Sequence, residues 1–243
     1  MRTVKPSLAQ LPLGNRILEA LPEAARDTML EQAKRVRLGR GQVEMYAGMA
    51  LGHVDFPASA LLSSVVHYED GSAREVAIIG RSGFLPIEPL VSVRRARRTV
   101  YCRIEGEAVR VPLEAFESAV APRGLFADLV QRFLGARLFA AEELVACNLT
   151  HGLLQRCARW LLTARDGIGG DVFAITHENL ALMLGVHRPS VSEALAVLQT
   201  AGAITPRRGE ISVVDAARLE SFSCECYAAV RDEFERVFAA SSR

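Results

Sequence analysis

Phe126, Leu129, Phe133, Ala136, Ala140, Leu144 and Cys147 recur at steps of three and four, which lays one apolar stripe along about six turns of helix. A stripe of that length cannot face water and needs an apolar partner along most of its course. A core helix lying on its own domain is one solution, and a helix pairing with its twin across a dimer axis is the other. A compact barrel of about 100 residues is too short to cover the stripe by itself, so the pattern favours the dimer.

The chain before this helix has a different texture. Between about Arg35 and Pro112, short β-type runs alternate with turn residues: His53 to Pro57, Leu61 to Tyr68, Glu75 to Ile79 and Val100 to Val111. Asp70-Gly71 separates two of them and supplies the positive φ of a tight hairpin turn. Several short strands at such spacing predict an antiparallel barrel or sandwich. Asn15 to Val36 reads as helical, carrying Ile17, Leu18, Leu21, Met29 and Leu30.

Composition narrows the partners and the compartment. With 29 Lys+Arg against 28 Asp+Glu, the net charge of +1 excludes a polybasic tail or an acidic disordered chain, so any nucleic-acid contact must come from local patches. Only Lys5 and Lys34 are lysines, and the remaining positive charge is arginine. No apolar run reaches the roughly 18 residues of a membrane span, and Met1 to Leu21 is too interrupted by charge and proline for a signal peptide. These features predict a soluble, cytoplasmic protein with no membrane partner. Cys102, Cys147, Cys157, Cys224 and Cys226 are odd in number and irregularly spaced, which fits a reducing compartment. Cys224 and Cys226 sit at a chelating offset, but no second Cys/His pair lies close by in sequence, so buried thiols remain the plainer reading and no metal is assigned.

The most informative stretch runs from Ile175 to Leu198. Thr176 can cap a helix whose inner face is Leu180, Ala181 and Leu184; Gly185 supplies a turn, and Val186 fills the angle. Pro189 suits the first turn of a second helix that buries Val191, Leu195 and Leu198. Its other face presents Arg188, Ser190, Ser192 and Glu193. This division is that of a helix-turn-helix, with polar residues at the N-terminus of the second helix facing base edges and phosphates. Ile204, Arg207-Arg208-Gly209 and Ile211 to Val214 add a strand, a tight turn and a strand: a wing whose arginines can rest on a phosphate backbone. Upstream, Asn148 to Gly152 offers cap and hinge residues, and Leu153 to Ala164 forms a further helix ended by Gly167-Ile168-Gly169-Gly170.

Over nearly its whole length the sequence resembles the CRP/FNR family of bacterial transcription regulators, most specifically in the helix-turn-helix and in Cys157-Ala158-Arg159-Trp160-Leu161-Leu162. Gly41-Gln42-Val43, His53 to Pro57 and Gly80 to Phe84 look like parts of the family's sensor. The resemblance implies an α+β chain: a jelly-roll-like antiparallel β-barrel sensor over 1–122, a dimerisation helix over 123–148 and a winged helix-turn-helix over 149–243. It also implies a homodimer on double-stranded, near-palindromic DNA, with half-sites on the order of 34 Å apart, and RNA polymerase as a partner if the protein activates. Thr176, His187, Arg188, Ser190, Ser192, Glu193, Arg207 and Arg208 are the expected DNA contacts.

Departures from the family bear on the effector. Gly83-Phe84-Leu85-Pro86 stands where cyclic-AMP-binding members place a carboxylate for the ribose, and Ala140-Ala141 replaces hydroxyls that meet the adenine. Cyclic AMP is therefore not expected, although Gly83, Phe84, Arg98 and Thr99 remain the candidate effector residues, with Arg98-Thr99 able to hold a phosphate or to belong to a solvated arginine loop. An iron–sulfur cluster is not expected either, since residues 1–101 lack cysteine. His53 and His67, as single histidines in strands, read as structural rather than as haem ligands. Glu193 stands where many members carry arginine, and Pro189 where they carry glutamate, so the operator should differ from the family's best-known consensus. No catalytic set with interpretable spacing is present, so an enzyme is not expected. The alternative to a regulator with a degenerate sensor is a ligand-binding or protein-interaction module of the same architecture that no longer reads DNA.

Overall fold

The computed structural model describes residues 12–121 and 124–239; Met1 to Leu11 and the Pro122 boundary lie outside the described residues. Asn15 starts the first helix, α1 (Arg16–Glu19), by accepting from the amides of Ile17 and Leu18. Its amide nitrogen donates to the carbonyls of Pro57 and Gly83, both at 2.8 Å, so this fully buried side chain ties the N-terminus to the β layer. α2 (Glu23–Leu30) follows. The helical texture expected as far as Val36 ends there, because β1 (Lys34–Leu38) pairs with a distant strand and tertiary pairing overrides local propensity.

Six more strands complete the N-terminal unit: β2 (Val43–Met45), β3 (His53–Pro57), β4 (Leu61–His67), β5 (Ala73–Ile79), β6 (Thr99–Ile104) and β7 (Gly106–Pro112). They form two antiparallel sheets, β1-β7-β3 and β2-β6-β4-β5, the two-sheet form of the expected barrel. The Asp70-Gly71 turn joins β4 to β5, with Gly71 at φ +80° and the Tyr68 amide donating to the Ser72 carbonyl at 2.9 Å. Alternation along β3 and β7 sends Val54, Phe56, Val109 and Val111 to a layer of helices. Leu38 and Ala108 face the opposite sheet.

That helical layer contains α3 (Leu113–Val120) and the long α4 (Leu125–Thr150). The predicted stripe is a packing face: Phe126, Leu129, Phe133 and Ala136 are buried with Phe84 and Phe116, and the Phe84 and Phe133 rings lie 4.6 Å apart. The cover that the sandwich cannot supply comes from the C-terminal helix α9 (Cys226–Ala239), which runs along α4 and adds Phe234, Val237 and Phe238 to the same cluster. The stripe that argued for a dimer from sequence is thus covered within the chain. A different face of α4 is open: Leu138 is 63% exposed, Val145 63% and Leu149 85%.

Beyond α4 the chain builds α5 (Leu153–Ile168), β8 (Val172–Ala174), α6 (His177–Leu184), α7 (Arg188–Thr200), β9 (Ile204–Arg207), β10 (Glu210–Val213) and α8 (Ala216–Ser221), with a small sheet in the order β8-β10-β9. This domain docks on the sandwich. The Trp160 indole of α5 donates to Glu75 of β5 at 2.9 Å, and Ser63 of β4 donates to the other carboxylate oxygen at 2.6 Å. Burial pushes Glu75 above the usual carboxylate range, against the pull of those two hydrogen bonds and of Arg103 and Arg159. Beside them, two glycines let the backbones touch: the Arg81 amide donates to the Gly167 carbonyl at 2.7 Å, and a β-carbon on Gly80 would collide with that oxygen. Gly80→Ala is expected to force the two domains apart and cost about 1–3 kcal/mol by overpacking, read as a lower denaturation midpoint. Gly52→Ala, with nothing within 4 Å of its added methyl, should stay within about 0.5 kcal/mol of the parent.

Candidate nucleic-acid interface and sensor interior

The α6–α7 pair is assembled by the residues that signalled it. The Thr176 hydroxyl accepts from the Asn179 amide at 3.1 Å and caps α6, whose Leu180, Ala181 and Leu184 are buried. Gly185 ends α6 at φ +67°, and the Val186 amide returns to the Ala181 carbonyl at 3.0 Å. α7 then starts at Arg188-Pro189 and buries Val191, Leu195 and Leu198.

What remains on the surface is the N-terminal end of α7. His187, Arg188 and Glu193 are exposed, and Ser190 is half-buried. Ser192 is placed differently from the other candidates: its hydroxyl meets His177 Nδ1 at 2.8 Å and approaches the Arg188 carbonyl at 3.2 Å. It braces α7 against α6, and His177, absent from the sequence-derived set, is its partner; the adjacent cap at Thr176 was the only signal for it. Arg207 and Arg208 stand exposed at the tip of the β9–β10 wing, where Gly209 turns at φ +78°. Arg218 is bound to the protein, donating to the Ala201 carbonyl at 2.9 Å.

Residues 155–222 match the family described as the Crp-like helix-turn-helix domain, and the sandwich, long helix and winged domain stand in the order found in Crp structures. Residues 155–222 therefore form a Crp-like helix-turn-helix domain, and the chain as a whole has the fold of Crp/FNR-family regulators. A Crp/FNR-family regulator from Eubacterium rectale superposes with TM-score 0.62 at 18% identity, covering 86% of this chain and 98% of its own. FixK2 from Bradyrhizobium japonicum gives 0.66 at 17%, covering 79% and 98%, and a CRP-family regulator from Thermus thermophilus gives 0.63 at 24%, covering 78% and 96%. At such identities the likeness is one of fold. No curated protein matches the sequence. Among its described residues, no helix is long and apolar enough to cross a membrane.

Inside the sandwich lies an ion cluster that no local sequence pattern marks. Arg110 on β7 grips Asp55 on β3 through both carboxylate oxygens, at 2.7 and 2.8 Å, and also reaches Glu44 at 2.7 Å. Burial acts to raise Asp55, but hydrogen bonds from His53 and Arg110 outweigh it and hold this carboxyl below the usual range. Glu44 is pushed up, chiefly by burial and despite its bond to Arg110. His53 approaches Asp55 at 3.5 Å and His67 meets the Tyr101 hydroxyl at 3.1 Å, so both histidines have structural partners.

The four candidate effector residues separate. Gly83 lines a cavity of about 530 Å³ between the sandwich, α4, α5 and α9. Phe84 is packed in the aromatic core, Arg98 is exposed and donates to the Arg97 carbonyl at 3.0 Å, and the Thr99 hydroxyl accepts from the Ala47 amide at 3.3 Å. The cavity's cations are others, Arg81 and Arg137 among them, each with a buried Nε lacking a hydrogen-bond partner. Desolvation lowers Arg137 to about 10, with only the charge of Glu88 opposing it. The same structure brings Cys147 and His151, from the end of α4, to Cys224 and Cys226.

Removing Asp55 strips Arg110 of its two-oxygen partner and leaves it the single bond to Glu44. Asp55→Ala should cost about 1.5–3 kcal/mol in chemical denaturation. Because Asp55's folded pKa is depressed, the parent keeps its contribution above the unfolded carboxylate range and loses it only as the pH falls through the lower, folded value. The gap between parent and variant should therefore close on acidification.

Proposed function

We propose that this regulator reads double-stranded, near-palindromic DNA as a homodimer, under the control of a sensor that has lost the cyclic-nucleotide site. The observation that carries the DNA reading is the α7 N-terminus, where His187, Arg188 and Glu193 are exposed, as are the arginines of the wing. Arg188 reads base edges, Glu193 accepts from an exposed base amine such as that of cytosine, and Thr176, Ser190, Arg207 and Arg208 hold the backbone. Ser192 contributes by fixing the angle of α7.

The open face of α4 supports the dimer. Asp128, Gln131, Gly135, Leu138, Glu142, Val145 and Leu149 are all exposed and alternate steps of three and four, a heptad seam that is apolar toward its C-terminal end. The loss of cyclic-nucleotide sensing is supported by the sandwich interior, where Asp55 and Glu44 already neutralise Arg110, and by Phe84 in the aromatic core. The arginine-lined cavity is the better seat for an effector, of small anionic type. It touches the sandwich, α4, α5 and α9, so filling it can shift the balance between them. Such control suits a protein in the cytoplasm, in contact with RNA polymerase if it activates.

Selection of binding sites from a random duplex library, followed by gel shift, tests the reading. Arg188→Ala should lose discrimination between selected and random DNA by about 1–3 kcal/mol while the protein stays folded. Arg207→Ala with Arg208→Ala should weaken binding to all sequences and reduce the salt slope by about 1 per lost phosphate contact. Failure to enrich any sequence would overturn the proposal. Leu138→Glu with Val145→Glu should turn the dimer into a folded monomer in sedimentation equilibrium; an unaltered dimer would remove α4 from the interface.

A further inference from the structure

The hinge between α4 and α5 carries a set of side chains that the DNA-reading function does not use. Cys147 and His151 are four residues apart on the last turn of α4, and His151 is the residue at which that helix ends. Cys224 and Cys226 flank Glu225 at the start of α9. The three sulfurs and the imidazole nitrogen all lie within 4.8 Å of one another. Cys147 Sγ is 3.5 Å from Cys224 Sγ, and Cys226 Sγ is 3.6 Å from His151 Nδ1.

These separations are those of one small tetrahedral coordination sphere. Metal–sulfur bonds of about 2.3 Å and metal–nitrogen bonds of about 2.0–2.1 Å put sulfur–sulfur edges at about 3.8 Å and sulfur–nitrogen edges at about 3.6 Å. Cys147 is fully buried, and Cys224 and Cys226 are 4% exposed, so four protein ligands would close the site to water, as structural zinc requires. The surroundings fit as well. His151 Nε2 faces the Glu225 carboxylate at 3.4 Å, the partner that orients a ligating imidazole. Arg159, which lines a cavity together with Cys147 and Cys226, has its own buried Nε without a hydrogen-bond partner.

We propose that Cys147, His151, Cys224 and Cys226 bind one zinc ion per chain, and that this ion clamps the α4–α5 hinge to α9. The ligands come from two segments that lie on either side of the winged domain in the chain. The ion therefore fixes the orientation from which α7 meets DNA, and its loss frees the hinge. Only this last consequence rests on the DNA-reading function.

Full-length protein, purified reduced and without chelator, should carry one zinc per chain by plasma mass spectrometry. Cobalt(II) in its place should show the thiolate charge-transfer and visible bands of a tetrahedral site. Cys147→Ser and Cys226→Ser should lose the ion, whereas Cys157→Ser, a buried thiol that burial pushes up to about 12 and that lies outside the cluster, should retain it. Removal of the ion from the parent protein should raise amide hydrogen exchange at residues 148–153 at least tenfold and weaken binding to selected DNA by a similar factor, both restored by added zinc. Absence of stoichiometric metal, a Cys147–Cys224 disulfide in its place, or retention of the ion by both serine variants would overturn the site. Zinc bound with unchanged hinge exchange would overturn the clamp. Zinc that protects the hinge in a protein binding no DNA sequence would leave the site standing and refute the DNA-reading proposal instead.

Discussion

The molecule is organised by the one-sided burial of α4. A helix of 26 residues is long enough to meet the sandwich, the C-terminal helix and the winged domain in turn. Its aromatic face is anchored to the sandwich by Phe126 and Phe133, and α9 extends the cover. Because that face is satisfied within the chain, the opposite face with Leu138, Val145 and Leu149 is left as surface that dispersion and hydrophobic burial favour covering. Intramolecular packing thus uses one stripe of the helix, and the proposed pairing would use another, so the two need not compete.

Communication between the halves of the molecule has a physical route in the contact of β5 with α5. Gly80 and Gly167 bring two backbones to hydrogen-bonding distance, and Glu75 links Trp160 to Ser63 across the same junction. A close-packed junction of this kind has no slack, so a small displacement of β5 moves α5 as a body. α5 packs in turn on α6 and α7, which share its core. The arginine-lined cavity opens beside that junction, bounded by Gly80, Gly167 and Arg137.

Much of this was legible in the residues. The helix-turn-helix was marked by local rules that hold regardless of context: a threonine cap, a glycine at positive φ, and apolar spacing on two helices. The wing and the Asp70-Gly71 hairpin were legible for the same reason. The partner of the α4 stripe was not, since an apolar periodicity states that a face must be buried without saying against what. β1 was hidden because Lys34 to Leu38 become a strand only through pairing with β7. Asp55, Arg110 and Glu44 come from three strands and meet only when two sheets stack, and Cys147 and His151 are separated from Cys224 by the whole winged domain. Arg98 and Thr99 illustrate the converse, an arginine and a hydroxyl in the right order whose side chains point to separate duties.

The path of the chain around Cys147 and Cys224 also has a mechanical meaning. The winged domain lies in the chain between Cys147 and Cys224, whose sulfurs are 3.5 Å apart, so the chain leaves and returns at nearly one point. Its other hold is the docking of α5 on β5; with that contact released, the domain could swing about the crossing point but not slide along it. A rotation is what re-aims a helix already exposed at one end, and the arm from the crossing point to α7 converts a small turn at the base into a large displacement at the tip.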